Sequence, residues 1–391
     1  VAGGYPTLNF PNDARNSKEN DSVEDRAEGA EDRAEPIQDR AGSARDWAKR
    51  AERWNPPAGW RRVTVVDAHT EGEPLRVILG GFPELPTGSI LAARAEARAL
   101  HDGLRTALMW EPRGHPDMYG CIVVPPVTEG ADFGVLFTHN EGFSTMCGHG
   151  IIGVATVVTE LGLTDSEGRG RALRIDTPAG LVEARVTMGA GRARSVSFTN
   201  VPSFVAALDR EVEVPGFGTV RYDVAYGGAF YAFVSAEDFG FTLTPEEHRP
   251  IIEAGRAVKA AVVAAGEPVH PEAADLGFLY GTIFVGPPRG EGHHSRNVCV
   301  FADGEVDRSP TGTGVSARLA LHHARGELAV GEEIVVESIL GTTFTGRVLG
   351  ETRVGPHDAV IPEVGGSAHI VGRSELLIDP DDPLKEGFLL R

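Results

Sequence analysis

The sequence predicts an α/β protein built from two similar domains, and three observations predict it. Two glycine turns look like copies of each other. Ser144-Thr145-Met146-Cys147-Gly148-His149-Gly150 runs into the apolar Ile151-Ile152-Gly153-Val154-Ala155, and Ser309-Pro310-Thr311-Gly312-Thr313-Gly314 runs into Val315-Ser316-Ala317-Arg318-Leu319-Ala320. The strand and helix signals around the first turn recur in the same order around the second. The registers also nearly agree. Cys147 and Thr311 lie 164 positions apart, while Asp176-Thr177-Pro178-Ala179-Gly180 and Glu337-Ser338-Ile339-Leu340-Gly341 end 161 positions apart, at Gly180 and Gly341. A period this long, seen only twice, fits a diverged duplication rather than a solenoid. At 391 residues and 41% hydrophobic, the chain can bury enough core for two domains.

Residues 1–59 read as a disordered charged tail. Glu24-Asp25-Arg26-Ala27-Glu28 recurs as Glu31-Asp32-Arg33-Ala34-Glu35 with almost no apolar periodicity, which fits a solvated tail or a fraying helix. The first α/β domain spans 60–205 and carries Cys147, with 370–391 open to inclusion in it. Strands are expected at 62–68 and 75–79, a helix over 90–107, strands at 119–124 and 133–137, the Cys147 turn with its helix to 161, and strands at 172–176 and 181–186. The second domain, 206–369, carries Thr311. It repeats the order with strands at 220–225 and 230–234, a helix over 245–265, strands at 280–285 and 297–301, the Thr311 turn with its helix to 325, and strands at 333–337 and 343–348. Segments 194–205 and 359–378 complete the two sheets.

Composition excludes several classes of function. A net charge of −19 argues against nucleic-acid binding, which needs concentrated positive charge, and against adhesion to anionic membranes. No run is long enough for a membrane-spanning helix, and no signal-peptide apolar region precedes the first domain. Cys121, Cys147 and Cys299 do not make a disulfide framework, so a reducing, cytoplasmic setting is expected. No metal is expected either. His293-His294 with Cys299, and His322-His323, have no zinc-site spacing, and the latter pair, late in a helix, suits the dipole as positive charge.

The glycine turns carry the chemistry. A helix start exposes free backbone N–H groups at the positive end of the macrodipole, and glycines let an anion approach them. Two such turns facing each other could clamp one carboxylate. A thiol at a helix N-terminus should also ionise more readily, and His149 is near enough to help. Gly148-His149-Gly150-Ile151-Ile152-Gly153 matches the dinucleotide fingerprint, but a polar loop separates it from the preceding strand, and Thr164-Asp165-Ser166-Glu167-Gly168 reads as a turn where the fingerprint needs a strand ending in an acid. Asp307, four residues before Thr311, has two readings: a loop cap, or a partner for the amine of a zwitterion.

At Met146-Cys147-Gly148-His149-Gly150 and Asp307-Arg308-Ser309-Pro310-Thr311-Gly312-Thr313-Gly314 the chain resembles the proline racemase family. Asp67-Ala68-His69-Thr70-Glu71-Gly72-Glu73-Pro74, Asp176-Thr177-Pro178-Ala179-Gly180, Arg296-Asn297-Val298-Cys299-Val300-Phe301 and Ile361-Pro362-Glu363 extend the likeness from about residue 62 onward. The resemblance implies two domains of the diaminopimelate-epimerase type, each a curved sheet around a central apolar helix, with the active site in the interdomain cleft. It implies a catalytic Cys147, with Gly148, His149, Gly312 and Thr313 contacting the substrate and Asp307 meeting its ring nitrogen. A homodimer is a further family expectation.

Thr311 departs from the racemase and epimerase pattern, which has a second cysteine there, and resembles the dehydratases of the family. Stereochemistry points the same way. In trans-3-hydroxy-L-proline the hydroxyl and the α-hydrogen share a ring face. One thiolate can therefore remove the proton and then, as a thiol, protonate the departing hydroxide. The expected activity is a cofactor-independent hydro-lyase reaction yielding Δ1-pyrroline-2-carboxylate, with Cys147 and Thr311 as the catalytic pair. Proline racemase or 4-hydroxyproline 2-epimerase activity is the first alternative, and a non-catalytic amino-acid-binding homologue the second; the substrate expected is a cyclic imino acid.

Overall fold

A run of β-branched residues followed by Glu71-Gly72 sets the first hairpin. β1 (Arg61–Thr70) and β2 (Glu73–Gly80) pair antiparallel across a two-residue loop, with Glu71 at φ 50° and Gly72 at φ 102°. Positive φ at both loop residues matches the right-handed twist of the strands it joins. The computed structural model describes residues 38–163 and 172–390. The tail up to residue 37 and the turn read at residues 164–168 lie outside them. The chain divides into two units, Val1–Pro56 and Pro57–Arg391. In the first, α1 (Gln38–Arg53) is a helix whose side chains from Asp46 onward are exposed, with an Asp46–Arg50 ion pair at 3.0 Å.

The second unit continues from β2 through α2 (Ile90–Leu100), α3 (Asp102–Met109), β3 (Gly120–Val124), β4 (Phe133–Thr138), α4 (Gly148–Glu160), β5 (Leu173–Thr177), β6 (Gly180–Gly189) and β7 (Arg192–Thr199). Then come β8 (Ser203–Val214), β9 (Gly218–Tyr226), β10 (Phe230–Ser235), α5 (His248–Ala265), β11 (Leu279–Gly286), β12 (Ser295–Phe301) and β13 (Glu305–Val306). The series ends with α6 (Gly312–Ala324), β14 (Glu333–Glu337), β15 (Thr343–Val354), β16 (His357–Gly366) and β17 (Ala368–Ile378). The helix expected over 90–107 is two helices. Ser89 caps the first by accepting from Ala92 N–H at 3.0 Å. Asp102 and Gly103 then restart the chain, Asp102 holding the Arg105 guanidinium through two hydrogen bonds. An acid and a glycine suit a helix start better than an interior.

The pairing order repeats. β1–β2 is antiparallel, β2–β3 parallel, β3–β4 antiparallel, β4–β5 parallel, and β5–β6 and β6–β7 antiparallel. The series β9, β10, β11, β12, β14, β15, β16 follows the same alternation. β8 pairs with both β9 and β16 and closes the second series into a ring. β17 pairs with β1 and lies beside β7, so it occupies the corresponding place in the first. β16 serves both, pairing with β8 through Ala359 and Val360 and with β7 from Glu363 to Gly366.

A helix that is apolar all round must be enclosed. α4 is buried from Gly148 to Val158 and packs inside the first series; α6 is buried from Gly312 to Leu321 and packs inside the second. Amphipathic helices cover the outside: α2 and α3 pack on Val63, Val65, Ile78, Ile122 and Leu136, and α5 packs on β11 and β12. Even the carboxylates that follow the buried helices repeat. Asp176 accepts from the backbone N–H groups of Val127 and Thr128, and Glu337 from those of Arg289 and Gly290. No helix among the described residues is long and apolar enough to cross a membrane.

Candidate active site

Two enclosed helices meet end to end. A β-carbon on Gly148 would lie 2.5 Å from Gly312 Cα, and one on Gly312 would lie 2.7 Å from Gly148 Cα. Both distances are below any real carbon–carbon contact, so only glycine lets α4 and α6 bring their first turns together. Cys147 is the N-cap of α4. Its backbone is extended (φ −146°, ψ 112°), and its Sγ accepts from Gly150 N–H at 3.2 Å, the role an oxygen usually fills. Thr311 stands at the start of α6 with φ 67°, an outlying conformation for a β-branched residue. Its hydroxyl does not cap the helix. It is buried and has no hydrogen-bond partner among the described residues.

Around this junction lies a narrow, partly enclosed cavity. Cys147, Gly148, His149, Asp307, Thr311, Gly312 and Thr313 all line it, as do Met146, Tyr119, Tyr231, Tyr280, Cys299 and Phe301. The tyrosines are set from behind. Tyr119 Oη shares a 2.6 Å hydrogen bond with Ser144 Oγ, and Tyr231 Oη a 2.7 Å one with Thr313 Oγ1. The buried Tyr280 hydroxyl has no partner among the described residues. Asp307 Oδ1 accepts from Ser309 N–H at 2.8 Å, the loop-cap contact, and the residue borders the cavity.

The electrostatics differ from the expectation for a thiol at a helix start. Burial pushes the Cys147 thiol well up, and the charges of Asp307 and Glu73 add to it; the Gly150 N–H and Tyr119 hydroxyl pull it down by less. His149 has a ring nitrogen 3.2 Å from Cys147 Sγ and sits edge-on to Tyr119, yet burial lowers its pKa, with only Asp307 raising it. The resting pair is a neutral thiol beside a neutral imidazole, because desolvation outweighs the dipole and the nearby N–H. Glu73, wholly buried, is raised well above the carboxylate range by burial and by Asp307, although its Oε2 accepts from Arg308 N–H at 2.7 Å. His322 is likewise not the positive charge the sequence suggested. Burial and Arg318 push it down to about 4.

The sequence reading did not assign Tyr119, Tyr231, Tyr280, Cys299 or Glu73 to the site, although Cys299 and Glu73 fall in the stretches that carry the family likeness. A signal existed for two of them. Tyr119-Gly120-Cys121-Ile122-Val123-Val124 recurs as Tyr280-Gly281-Thr282-Ile283-Phe284-Val285, 161 positions on, in the register of Gly180 and Gly341. Among the described residues no three His, Cys, Asp or Glu side chains group as metal ligands; His293 bonds to Glu337 and His322 to Glu327.

A sheet-rich α/β fold whose two abutting helix starts present a thiol, Cys147, and a hydroxyl, Thr311, to one cavity defines the class of small-molecule site. Residues 65–389 match the proline racemase family, and the chain belongs to it. It is 46% identical over 329 residues to a trans-3-hydroxy-L-proline dehydratase of Colwellia psychrerythraea, covering 84% of this chain and 93% of that protein. It is 47% identical over 331 residues to a 3-hydroxyproline 2-epimerase of Burkholderia multivorans, covering 85% and 99%. Among solved structures, a hydroxyproline epimerase from Agrobacterium vitis with bound trans-4-OH-L-proline matches with a TM-score of 0.80 at 32% identity, covering 84% of this chain and 96% of that one.

Proposed function

We propose that the protein is a trans-3-hydroxy-L-proline dehydratase. The observation that carries the reading is that the two abutting helix starts present a thiol, Cys147, and a hydroxyl, Thr311, to one cavity, together with the dehydratase name of its relatives. The first-turn N–H groups of α4 and α6 hold the substrate carboxylate, through Gly148, His149, Gly312 and Thr313, and Asp307 takes the ring nitrogen. Cys147 gives its proton to the neutral His149 imidazole, whose basicity Asp307 supports. The thiolate then removes the α-hydrogen, and the helix ends stabilise the electron density passing into the carboxylate. As the C3–O bond breaks, the new S–H proton goes to the hydroxide. Water leaves, and the Cα=C3 enamine remains to tautomerise to Δ1-pyrroline-2-carboxylate.

On this reading the two strand series are domains of the diaminopimelate-epimerase type with the site in the cleft between them, roughly 60–205 and 206–369, with β17 returning to the first. A second reading is inversion at the α-carbon, favoured by the relative named a 3-hydroxyproline 2-epimerase at the same level of identity. NMR of purified protein with trans-3-hydroxy-L-proline separates them. Dehydration yields the imine and disappears in Cys147→Ser; formation of the cis-D epimer without imine would sink the dehydratase reading.

A further inference from the structure

The hydroxyl at position 311 does not leave its side of the cavity without a thiol. Alternate residues of a strand share a face, and on β12 the residues Asn297, Cys299 and Phe301 alternate in this way, with Cys299 and Phe301 in the cavity wall. Asn297 ties the strand to the Thr311 turn by donating to Pro310 O at 3.2 Å. Cys299 is free and wholly buried. A lone buried cysteine would be ordinary packing. Thr311 supplies an independent observation: its hydroxyl is in the same wall, the residue is only 4% exposed, and the oxygen has no directed hydrogen bond among the described residues. A hydroxyl can accept from a thiol behind it while donating to a ligand in front. Burial and Asp307 push the Cys299 thiol up, while the adjacent Thr311 hydroxyl draws it back only in part. A thiol so placed stays protonated at neutral pH and so holds a proton beside the hydroxyl.

We propose that Cys299, acting through the Thr311 hydroxyl, supplies the proton that turns the enamine into the cyclic imine, on the ring face opposite Cys147. The proposal rests on the dehydratase reading. The Cα=C3 electron pair takes the Thr311 proton at C3 while the nitrogen lone pair forms the C=N bond, and the Cys299 S–H restores the Thr311 hydroxyl. The resulting iminium gives its N–H proton to Asp307. Asp307, whose backbone N–H already bonds Cys299 O at 3.0 Å, returns that proton to the thiolate. Protons and electrons balance with no co-reactant. Cys299 is thus a positioning residue and proton store, and Thr311 the group that touches substrate.

The test is where solvent hydrogen arrives. The reaction is run briefly in D2O, the imine is trapped with borohydride, the proline enantiomers are separated, and C3 is read by NMR. The wild type should carry deuterium at one C3 position in each enantiomer. In Cys299→Ala and in Thr311→Val the label should spread equally over both positions, and Thr311→Ser should restore the single position. The Thr311 pair carries the same test if Cys299→Ala does not fold. Single-position label in Cys299→Ala or Thr311→Val, or an evenly spread label in the wild type, overturns the relay alone. Absence of imine from the wild type sinks the dehydratase reading and the relay with it.

Discussion

Replacing Gly148 with alanine should damage catalysis far more than folding. The added methyl would sit 2.5 Å from Gly312 Cα, 2.9 Å from Gly312 C and 3.1 Å from Thr313 N. Carbon atoms pack at about 3.5–4.0 Å, so the ends of α4 and α6 must separate by roughly 1 Å. All three obstructing atoms are backbone, and no side-chain rotation can relieve them. Overpacking of this kind costs about 1–3 kcal/mol, but alanine regains up to about 1 kcal/mol over glycine as a helix former. The net change should lower Tm by only a few degrees in a unit this large. The same displacement moves groups that must converge on one carboxylate, and misplacement by about 1 Å can cost about 100-fold in rate. Thermal unfolding and kcat/KM on trans-3-hydroxy-L-proline, measured on the same preparation, check this split. A Gly148→Ala protein within about threefold of wild-type kcat/KM would refute the idea that contact between the helix ends builds the site.

Two further predictions concern pH. Because the proposed base forms by proton transfer inside the neutral Cys147–His149 pair, kcat/KM should stay level from pH 7 to 8; a rise of about tenfold per unit would show that the Cys147 proton is instead lost to solvent. Stability should fall in acid. His139 and His322 are pushed down to about 3 and about 4 from 6.5, so their contribution is complete above pH 6.5 and drains away as pH falls towards those values. Each should cost about 2 kcal/mol between pH 6.5 and 5. Glu73, whose folded-state pKa is raised, acts oppositely, costing stability as pH rises past 4.5. His139→Phe should therefore flatten the acid limb of Tm against pH, and an unchanged limb would contradict the assignment.

The repeat was legible because its glycines are constrained by contact. Gly148 and Gly312 abut, so the flanking residues keep their pattern in both copies. The strands were legible through β-branched runs, and α4 through its uniform apolarity; α6 is as enclosed but buries Arg318, which donates to Ser295 and Asn297. Three things were not legible. The break at His101 depends on Asp102 and Gly103 acting as a helix start, which periodicity alone overrides. The state of the Cys147 thiol depends on burial among Tyr119, Tyr231, Tyr280 and Phe301, which come from four separate strand regions. The second thiol in the wall was legible only as part of the stretch 296–301; its place was hidden because Cys299 precedes Thr311 by twelve positions and reaches the cavity by strand alternation.

The place of β17 governs the order in which the molecule can be made. β1 pairs with it from Arg61↔Ile378 to Thr70↔Ala368, so the first strand of the sheet waits for one some three hundred positions later. The second series, from β8 to β16, can close as soon as those residues are synthesised. The sheet around α4 has an unpaired edge along β1 until β17 emerges. Contacts this distant slow folding and leave strand edges exposed in the meantime. The half that carries Cys147 is therefore begun first and completed last. Shortening the chain before residue 378 should harm the Cys147 side of the site while leaving the Thr311 ring closed.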